Sequence, residues 1–176
     1  MSILFTPIDI GPVTVPNRFV RSATHDYMAD DEGFVSDANV ERLARLAQGE
    51  AGLIVTGHAF VQPSGKASPR QIAVYDDRFV DGLARIPSAV HRFSSKVFLQ
   101  IAHAGRQTKP KLCGCVPVSP SAVYDPASKV MPRELTADGG LTLGLTDDLQ
   151  LDAGVNVGLT RGADDVNPFL GLAVRF

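Results

Sequence analysis

The two cysteines have side chains that could bind a metal ion. Cys113 and Cys115 flank Gly114 in a stretch that is typical of a loop. A structural zinc site needs about four ligands, and no second cluster of Cys or His lies nearby in the sequence to complete one. The sequence therefore predicts two unpaired loop thiols and no metal site.

Three polar residues interrupt or follow apolar runs. His58 lies within the run 52–61, Gln100 lies within the run 97–102, and His103 follows directly. An amide carries both a donor and an acceptor, and an imidazole can change its protonation near neutral pH. Taken singly, each of these residues is more often solvent-facing or structural than functional. Whether they form a functional site depends on the strands and helices that position them.

Those elements follow a strand–helix alternation. The patterns predict a hairpin over 8–15, a strand over 19–24, a helix from Ser36 or Asp37 to Gly49, a buried strand over 52–61, a second helix capped by Asp76 or Asp77, and a buried strand over 97–102. This order is typical of a parallel α/β fold. Residues 104–133 are expected to form a long irregular loop, and its place after a strand end favours function.

The helices are predicted from apolar spacing. The first carries Val40, Leu43, Leu46 and Ala47, and the second carries Phe79, Val80, Leu83, Ile86, Val90 and Phe93. Pro87 lies inside the second helix, where a proline costs about 3 kcal/mol, so we expect a kink or an early stop there.

The composition of the chain limits the kinds of partner that it is expected to bind. The net charge is -2 with dispersed charges, which favours neither nucleic acid nor an anionic membrane. No apolar run approaches the roughly 20 residues of a membrane-spanning helix, and we identify no export signal, so the expected location is the cytoplasm.

The character of the chain changes near residue 140. Apolar residues alternate with Asp, Gly and Asn from Leu151 to Leu159, and a turn-like segment follows at 162–165. This pattern predicts a hairpin of period-two strands where a crossover helix would be expected. We therefore predict two parts, residues 1–139 and residues 140–176.

Several segments of the first part together resemble the N-terminal region of the Old Yellow Enzyme, or NADH:flavin oxidoreductase, family: 4–8 (LFTPI), 16–24 (PNRFVRSAT), 52–59 (GLIVTGHA), 99–107 (LQIAHAGRQ) and 132–136 (PRELT). The resemblance implies an incomplete TIM (β/α)8 barrel of about three βα units, followed by the β-hairpin tail. A full barrel needs about 250 residues, with functional groups at the carboxyl ends of its strands.

The resemblance also implies FMN as cofactor, NADH or NADPH as reductant and a small-molecule substrate. It places Ser22, Ala23, Thr24, Gly57 and His58 at strand ends beside the flavin, and Tyr27 in the substrate pocket as a catalytic residue. At His25 many relatives have a Thr or Cys that tunes the flavin, so this position is a departure. A neutral imidazole can still donate one hydrogen bond.

Gln100 is the strongest cofactor-binding candidate that the resemblance implies, because its amide suits the donor–acceptor edge of the flavin ring. His103 and Arg106 would flank the mouth of the site, His103 as a catalytic residue and Arg106 as a cofactor-binding one. The family's fourth-strand substrate pair, its later Arg and its Gly-rich phosphate site have no counterpart in this sequence.

The tail resembles the last strands of bacterial outer-membrane β-barrel proteins of the phenol-degradation type, on 151–160 (LDAGVNVGLT), 167–169 (NPF) and a terminal Phe176. We expect no membrane insertion. The leading hypothesis is thus an ene-reductase-type FMN oxidoreductase in truncated form. The alternative is a catalytically inactive fusion or remnant that self-associates through exposed strand edges.

Overall fold

The computed structural model describes residues 2–135 in full and the backbone of residues 149–156 and 167–174. After a short 3-10 turn, β1 (Ile8–Ile10) and β2 (Val13–Val15) pair in antiparallel register. The predicted hairpin over 8–15 is therefore confirmed.

The centre of the fold is parallel sheet. It contains β3 (Val20–Arg21), β4 (Leu53–Val55), β5 (Ala59–Phe60), β6 (Lys96–Phe98) and β7 (Ile101–Ala102). β3, β4 and β6 pair in that order, and β5 pairs with β7, all in parallel. The first strand is shorter than predicted, so Ser22, Ala23 and Thr24 lie just beyond its carboxyl end.

Each of the two buried runs predicted as one strand is interrupted at the same level of the sheet. The backbone N–H of Thr56 donates to the carbonyl of Phe98 at 2.9 Å, and the N–H of Gln100 donates to Oγ1 of Thr56 at 3.2 Å. The N–H of Ala59 then donates to the carbonyl of Gln100 at 2.7 Å. The ladder breaks because a side-chain hydroxyl replaces a backbone partner, and this fixes the Gln100 backbone.

Helix α1 (Asp37–Gln48) has the predicted limits. The side chain of Ser36 accepts from the N–H of Asn39, and Gly49 forms the carboxyl-terminal cap. The predicted apolar face is also confirmed, with Leu43 and Ala47 buried and the other two apolar residues packed against the core.

Helix α2 (Val80–Val90) follows a 3-10 turn capped by Asp76. Phe79, Ile86 and Val90 are buried as predicted, but Val80 is 54% exposed and Phe93 is 39% exposed. Neighbouring residues on a helical turn point in different directions, so Phe79 and Val80 cannot both face the core. Phe93 lies beyond the end of the helix.

The helix does not stop at Pro87. It continues to Val90, and the carbonyl of Pro87 accepts from the N–H of His91 at 2.8 Å. The expected early stop is wrong: the proline removes only the hydrogen bond that its own N–H would donate, and the helix continues through the residues that follow it.

The two helices pack against each other and against the sheet. The core between them is built on Ile54, which is fully buried, with Ile72, Ile86, Val90 and Val97 around it. This layer holds β4 and β6 at a fixed height, and so sets the position of the strand ends.

The segment 104–133 is less irregular than expected. It contains α3 (Pro110–Cys113) and β8 (Val118–Ser119), which pairs in parallel with β9 (Arg133–Glu134). Cys113 therefore ends a short helix instead of lying in a loop, but both cysteines are unpaired, as predicted.

Beyond β9 the structure describes two strands by their backbone. β10 (Leu149–Asn156) and β11 (Asn167–Val174) pair in antiparallel register. The predicted boundary near residue 140 and the predicted turn at 162–165 lie outside the described residues. Among the described residues, no helix is long and apolar enough to cross a membrane, and no cluster of three potential metal ligands occurs.

Candidate functional site

The carboxyl ends of the three central strands converge. A Cβ atom on Gly57 would lie 2.9 Å from the carbonyl oxygen of Thr24 and 3.2 Å from Cα of His25, so the second strand end touches the first without room for a side chain. The hydrogen bond from Ala59 to Gln100 joins the second strand end to the third. We call residues 22–25, 57–58 and 100 the strand-end rim.

An aromatic cluster lies at one end of this rim. The His25 ring centroid is 4.0 Å from that of Tyr27 and 4.9 Å from that of His58. Tyr27 is 53% exposed and has a φ of 55°. A positive φ is uncommon for a residue with a side chain and costs about 1–3 kcal/mol, so the surrounding contacts must hold Tyr27 in this position.

His25 is tied to the loop that follows β5. Its Nε2 lies 2.7 Å from Oγ of Ser68. Burial lowers the pKa of His25, while the negative charge of Asp26 and the backbone of Pro69 act in the opposite direction. The result favours a neutral imidazole that the loop holds in place.

Asp26 is fixed by the first turn of α1. Nδ2 of Asn39 donates to both carboxylate oxygens of Asp26 at 3.3 Å, and Oδ1 of Asn39 accepts from the N–H of Ser36. Asn39 is 0% exposed. A buried amide thus links the cap of α1 to the segment that carries His25 and Tyr27.

His103 lies on the opposite side of the same loop. The N–H of Gly105 donates to its Nδ1 at 3.0 Å, and Oγ of Ser64 lies 3.1 Å from its Nε2. An acceptor Nδ1 places the proton of a neutral ring on Nε2, which then donates to Ser64. Both nitrogens are therefore occupied, and the predicted catalytic role would require one of these bonds to break.

The backbone of Gln100 is fixed by hydrogen bonds, but its side chain is not. Its amide is exposed and, within the part of the chain that the structure describes, makes no hydrogen bond. Ser22 and Thr24 are also exposed on the rim, although Oγ1 of Thr24 accepts from Nη1 of Arg21 at 2.7 Å. Ala23 is half-buried between them. Gln100 thus carries an unengaged donor and acceptor at the point of convergence.

Arg106 lies in the long segment that follows β7. It lies within electrostatic range of Asp125, whose pKa is lowered mainly by hydrogen bonds from Ser128 and in part by the charge of Arg106. The predicted cofactor contact of Arg106 stays a prediction.

Comparison with known proteins identifies the first 139 residues. The sequence model of the NADH:flavin oxidoreductase / NADH oxidase family matches residues 3–139. This chain belongs to that family. It is 36% identical over 135 residues to an NADH oxidase of Thermoanaerobacter brockii, and 33% identical over 136 residues to an NADPH dehydrogenase of Bacillus licheniformis. These matches cover 76% and 77% of this chain, but only 21% and 39% of the two relatives.

Solved structures of the family share the fold. An Old Yellow Enzyme homologue of Zymomonas mobilis superposes with a TM-score of 0.73 at 26% identity, covering 78% of this chain and 41% of that one. Old Yellow Enzyme from Pichia sp. AKU4542 gives the same TM-score and identity, with 78% and 38% coverage. The described fold is therefore part of a TIM barrel, and enzymes of this flavin oxidoreductase family use FMN with NADH or NADPH.

From the sequence, the loop 62–71 was not predicted to belong to the site, because its residues indicate only a polar loop. The structure shows that Gln71, which is buried, accepts from the N–H of Ala67 at 2.8 Å and donates to the carbonyl of His58 at 3.1 Å. The available signal was a run of small polar residues after a buried strand end, where functional loops concentrate.

The three histidines predict how stability depends on pH. Burial lowers the pKa of His25, His58 and His103 below the ordinary value of 6.5. The unfolded chain then binds protons more readily, so the stability they contribute is full above about pH 6.5 and is lost as pH falls through that value toward their native pKa values. Urea unfolding between about pH 8 and about pH 5 should show this loss.

His58→Gln should reduce that pH dependence, because it removes one of the three buried imidazoles. A free energy of unfolding that stayed constant or rose as the pH was lowered would contradict the prediction.

Proposed function

We propose that this chain supplies the flavin-ring side of an FMN-dependent oxidoreductase site of the ene-reductase type. The observation that carries the proposal is the unengaged Gln100 amide on a rim where three parallel strand ends meet. In barrels of this kind, ligands bind at the carboxyl ends of the strands. The chain spans only about a fifth to two fifths of the relatives named above, so the activity of a whole barrel is part of the proposal.

The residues of the rim fit a flavin ring. The Gln100 amide offers a donor and an acceptor to the pyrimidine edge of the ring, which presents both kinds of group. Gly57 adds no side chain to the rim, and Ser22 and Thr24 add hydroxyl groups beside it. The described residues fit the ring and not the phosphate, since the family's phosphate site has no counterpart in this sequence.

The remaining predicted residues receive roles within this proposal. His25 and His58 flank the ring, and Tyr27 faces a small electron-poor substrate. His103 and Arg106 lie toward the mouth of the site. Bound FMN would accept hydride from NADH or NADPH and pass it to the substrate. The cytoplasmic location, the division near residue 140 and the outer-membrane origin of the tail stay predictions.

One observation favours the alternative function, a catalytically inactive chain that associates through its strands. β3 is an edge strand of its sheet, and Phe19 and Val20 are exposed there at 42% and 55%. An exposed apolar edge is a template for pairing with another chain. A purified chain that forms concentration-dependent oligomers and does not bind FMN would support this reading.

FMN binding tests the proposal. Titration of the full chain should quench FMN fluorescence and shift the visible absorbance bands of the added flavin. Gln100→Ala should raise the dissociation constant roughly 5- to 10-fold, which corresponds to the loss of about 1 kcal/mol of hydrogen bonding.

Gln48→Ala is the matched control, since Gln48 is an exposed glutamine at the end of α1. Equal weakening by both substitutions would argue against a specific contact of Gln100. Absence of any FMN binding by the unmodified chain would overturn the proposal.

A further inference from the structure

The loop 62–71 is attached at one end to the segment after β7. Nδ1 of His103 accepts a hydrogen bond from the N–H of Gly105, and Nε2 of His103 forms a hydrogen bond with Oγ of Ser64. The N–H of Ala104 donates to the carbonyl of Gly65 at 3.0 Å. Two of these hydrogen bonds join the two loops, and the third, from Gly105 to His103, fixes the imidazole within its own segment.

Gly65 allows this contact to form. A Cβ atom at this position would lie 2.4 Å from Cδ2 and 2.6 Å from Cγ of the His103 ring. Real Cβ atoms do not approach other atoms so closely, so any other residue must displace the ring or the loop. The imidazole thus packs against Gly65 at a position where another side chain would not fit without displacement.

The other end of the same loop is attached to the strand-end rim. Oγ of Ser68 forms a hydrogen bond with Nε2 of His25, and Nε2 of Gln71 donates a hydrogen bond to the backbone carbonyl of His58. The His25 ring and the His58 backbone therefore contact a loop whose other end is held by His103, Ala104 and Thr108.

We propose that Ser64, Gly65 and His103 form a loop clamp, and that His103 is a positioning residue that orients the His25 ring and fixes the His58 backbone through the loop. The effect on flavin binding rests on the proposed function, whereas the coupling between the clamp and His25 does not. The clamp requires a neutral His103, because a proton on Nδ1 would face the Gly105 N–H, which is also a donor.

Charged and titratable neighbours differ between the two histidines. His25 is faced by Asp26, Tyr27 and His58, whereas burial lowers the pKa of His103. His25 can keep its Ser68 contact in either protonation state, since a hydroxyl both donates and accepts. Acid should therefore open the clamp at His103 before it releases Ser68.

The test compares two glycine substitutions in the full chain by nitrogen-detected histidine NMR and amide hydrogen exchange. Gly65→Ala should expose His25 and move its pKa upward toward 6.5, and should speed exchange of the Gly105 amide about tenfold or more. Gly82→Ala is the control, because its Cβ would meet Val35 at an ordinary 3.6 Å. It should change neither quantity.

Ser64→Ala is a milder second variant, with Ser88→Ala on α2 as its control. Ser64→Ala should shift the His25 titration in the same direction by a smaller amount. A His103 proton found on Nδ1, or a His25 titration unchanged in Gly65→Ala and Ser64→Ala, would overturn the clamp. If His25 responds but no variant or parent chain binds FMN, the proposed function fails and the clamp remains.

Discussion

Asn39→Asp is expected to lower the free energy of unfolding by about 3–5 kcal/mol at neutral pH, the range seen when a buried charge loses its compensation. The change keeps the size of the side chain but replaces an amide donor with a second carboxylate. Nδ2 of Asn39 lies 3.3 Å from both oxygens of Asp26, and the residue is fully buried. Two carboxylates in this position repel each other and cannot both be solvated.

The pH dependence of this variant provides a second check. Repulsion raises the native pKa of one of the two carboxyls above its unfolded value, so the folded state of the variant binds protons more readily. The deficit relative to the parent should be full at neutral pH and should shrink as pH falls through that raised pKa. Urea unfolding at about pH 7 and about pH 4.5 measures it.

Gln48→Glu is the matched amide-to-acid control on the same helix, at an exposed position near its end. It should cost no more than about 0.5 kcal/mol, from the interaction with the helix dipole. If Asn39→Asp cost as little as Gln48→Glu, the Asn39–Asp26 link would not be holding the segment that carries His25 and Tyr27.

Gly33→Ala should lower the free energy of unfolding by about 2–6 kcal/mol, from a strained backbone together with overpacking. Gly33 has a φ of 105°, outside the region that other residues adopt. An added Cβ would lie 2.6 Å from Cβ of Ala73, and the Gly33 carbonyl accepts from the Ala73 N–H at 2.9 Å. Neither the dihedral angle nor the neighbour can relax without breaking that bond.

Substitutions at two other glycines separate the effect of backbone strain from the effect of overpacking. Gly11 has a φ of 56° with open space around it, so Gly11→Ala isolates backbone strain of about 1–2 kcal/mol. Gly82→Ala introduces neither strain nor a close contact, and should stabilise α2 by up to about 1 kcal/mol. Thermal unfolding of the three variants should follow the order Gly82→Ala, Gly11→Ala, Gly33→Ala from most to least stable.

Local patterns were sufficient for the elements that have local signals. A serine cap and a following glycine fix the ends of α1, and alternation around a Gly–Pro pair predicts the first hairpin. Local sequence patterns did not predict the features that depend on three-dimensional geometry. The 3-10 turn before α2 turns Val80 outward, and the hydroxyl of Thr56 divides two runs that each look like one strand.

The candidate site shows the same division. The strand ends and Gln100 could be predicted, because functional residues of a parallel α/β fold follow the strands in sequence. The contacts of the loop 62–71 could not. Ser68 and His25 are 43 residues apart, and Ser64 and His103 are 39 apart. No periodicity in the sequence links such pairs.

The sequence by itself determined the α/β order, the family of the first 139 residues and the presence of an amide within the buried run 97–102. Only the tertiary structure decided that the Gln100 side chain is unengaged, that both nitrogens of His103 are occupied and that Asn39 holds Asp26. The physical reason is range. Hydrophobic period and capping act between near neighbours, whereas a hydrogen bond between distant segments exists only after the core has set their separation.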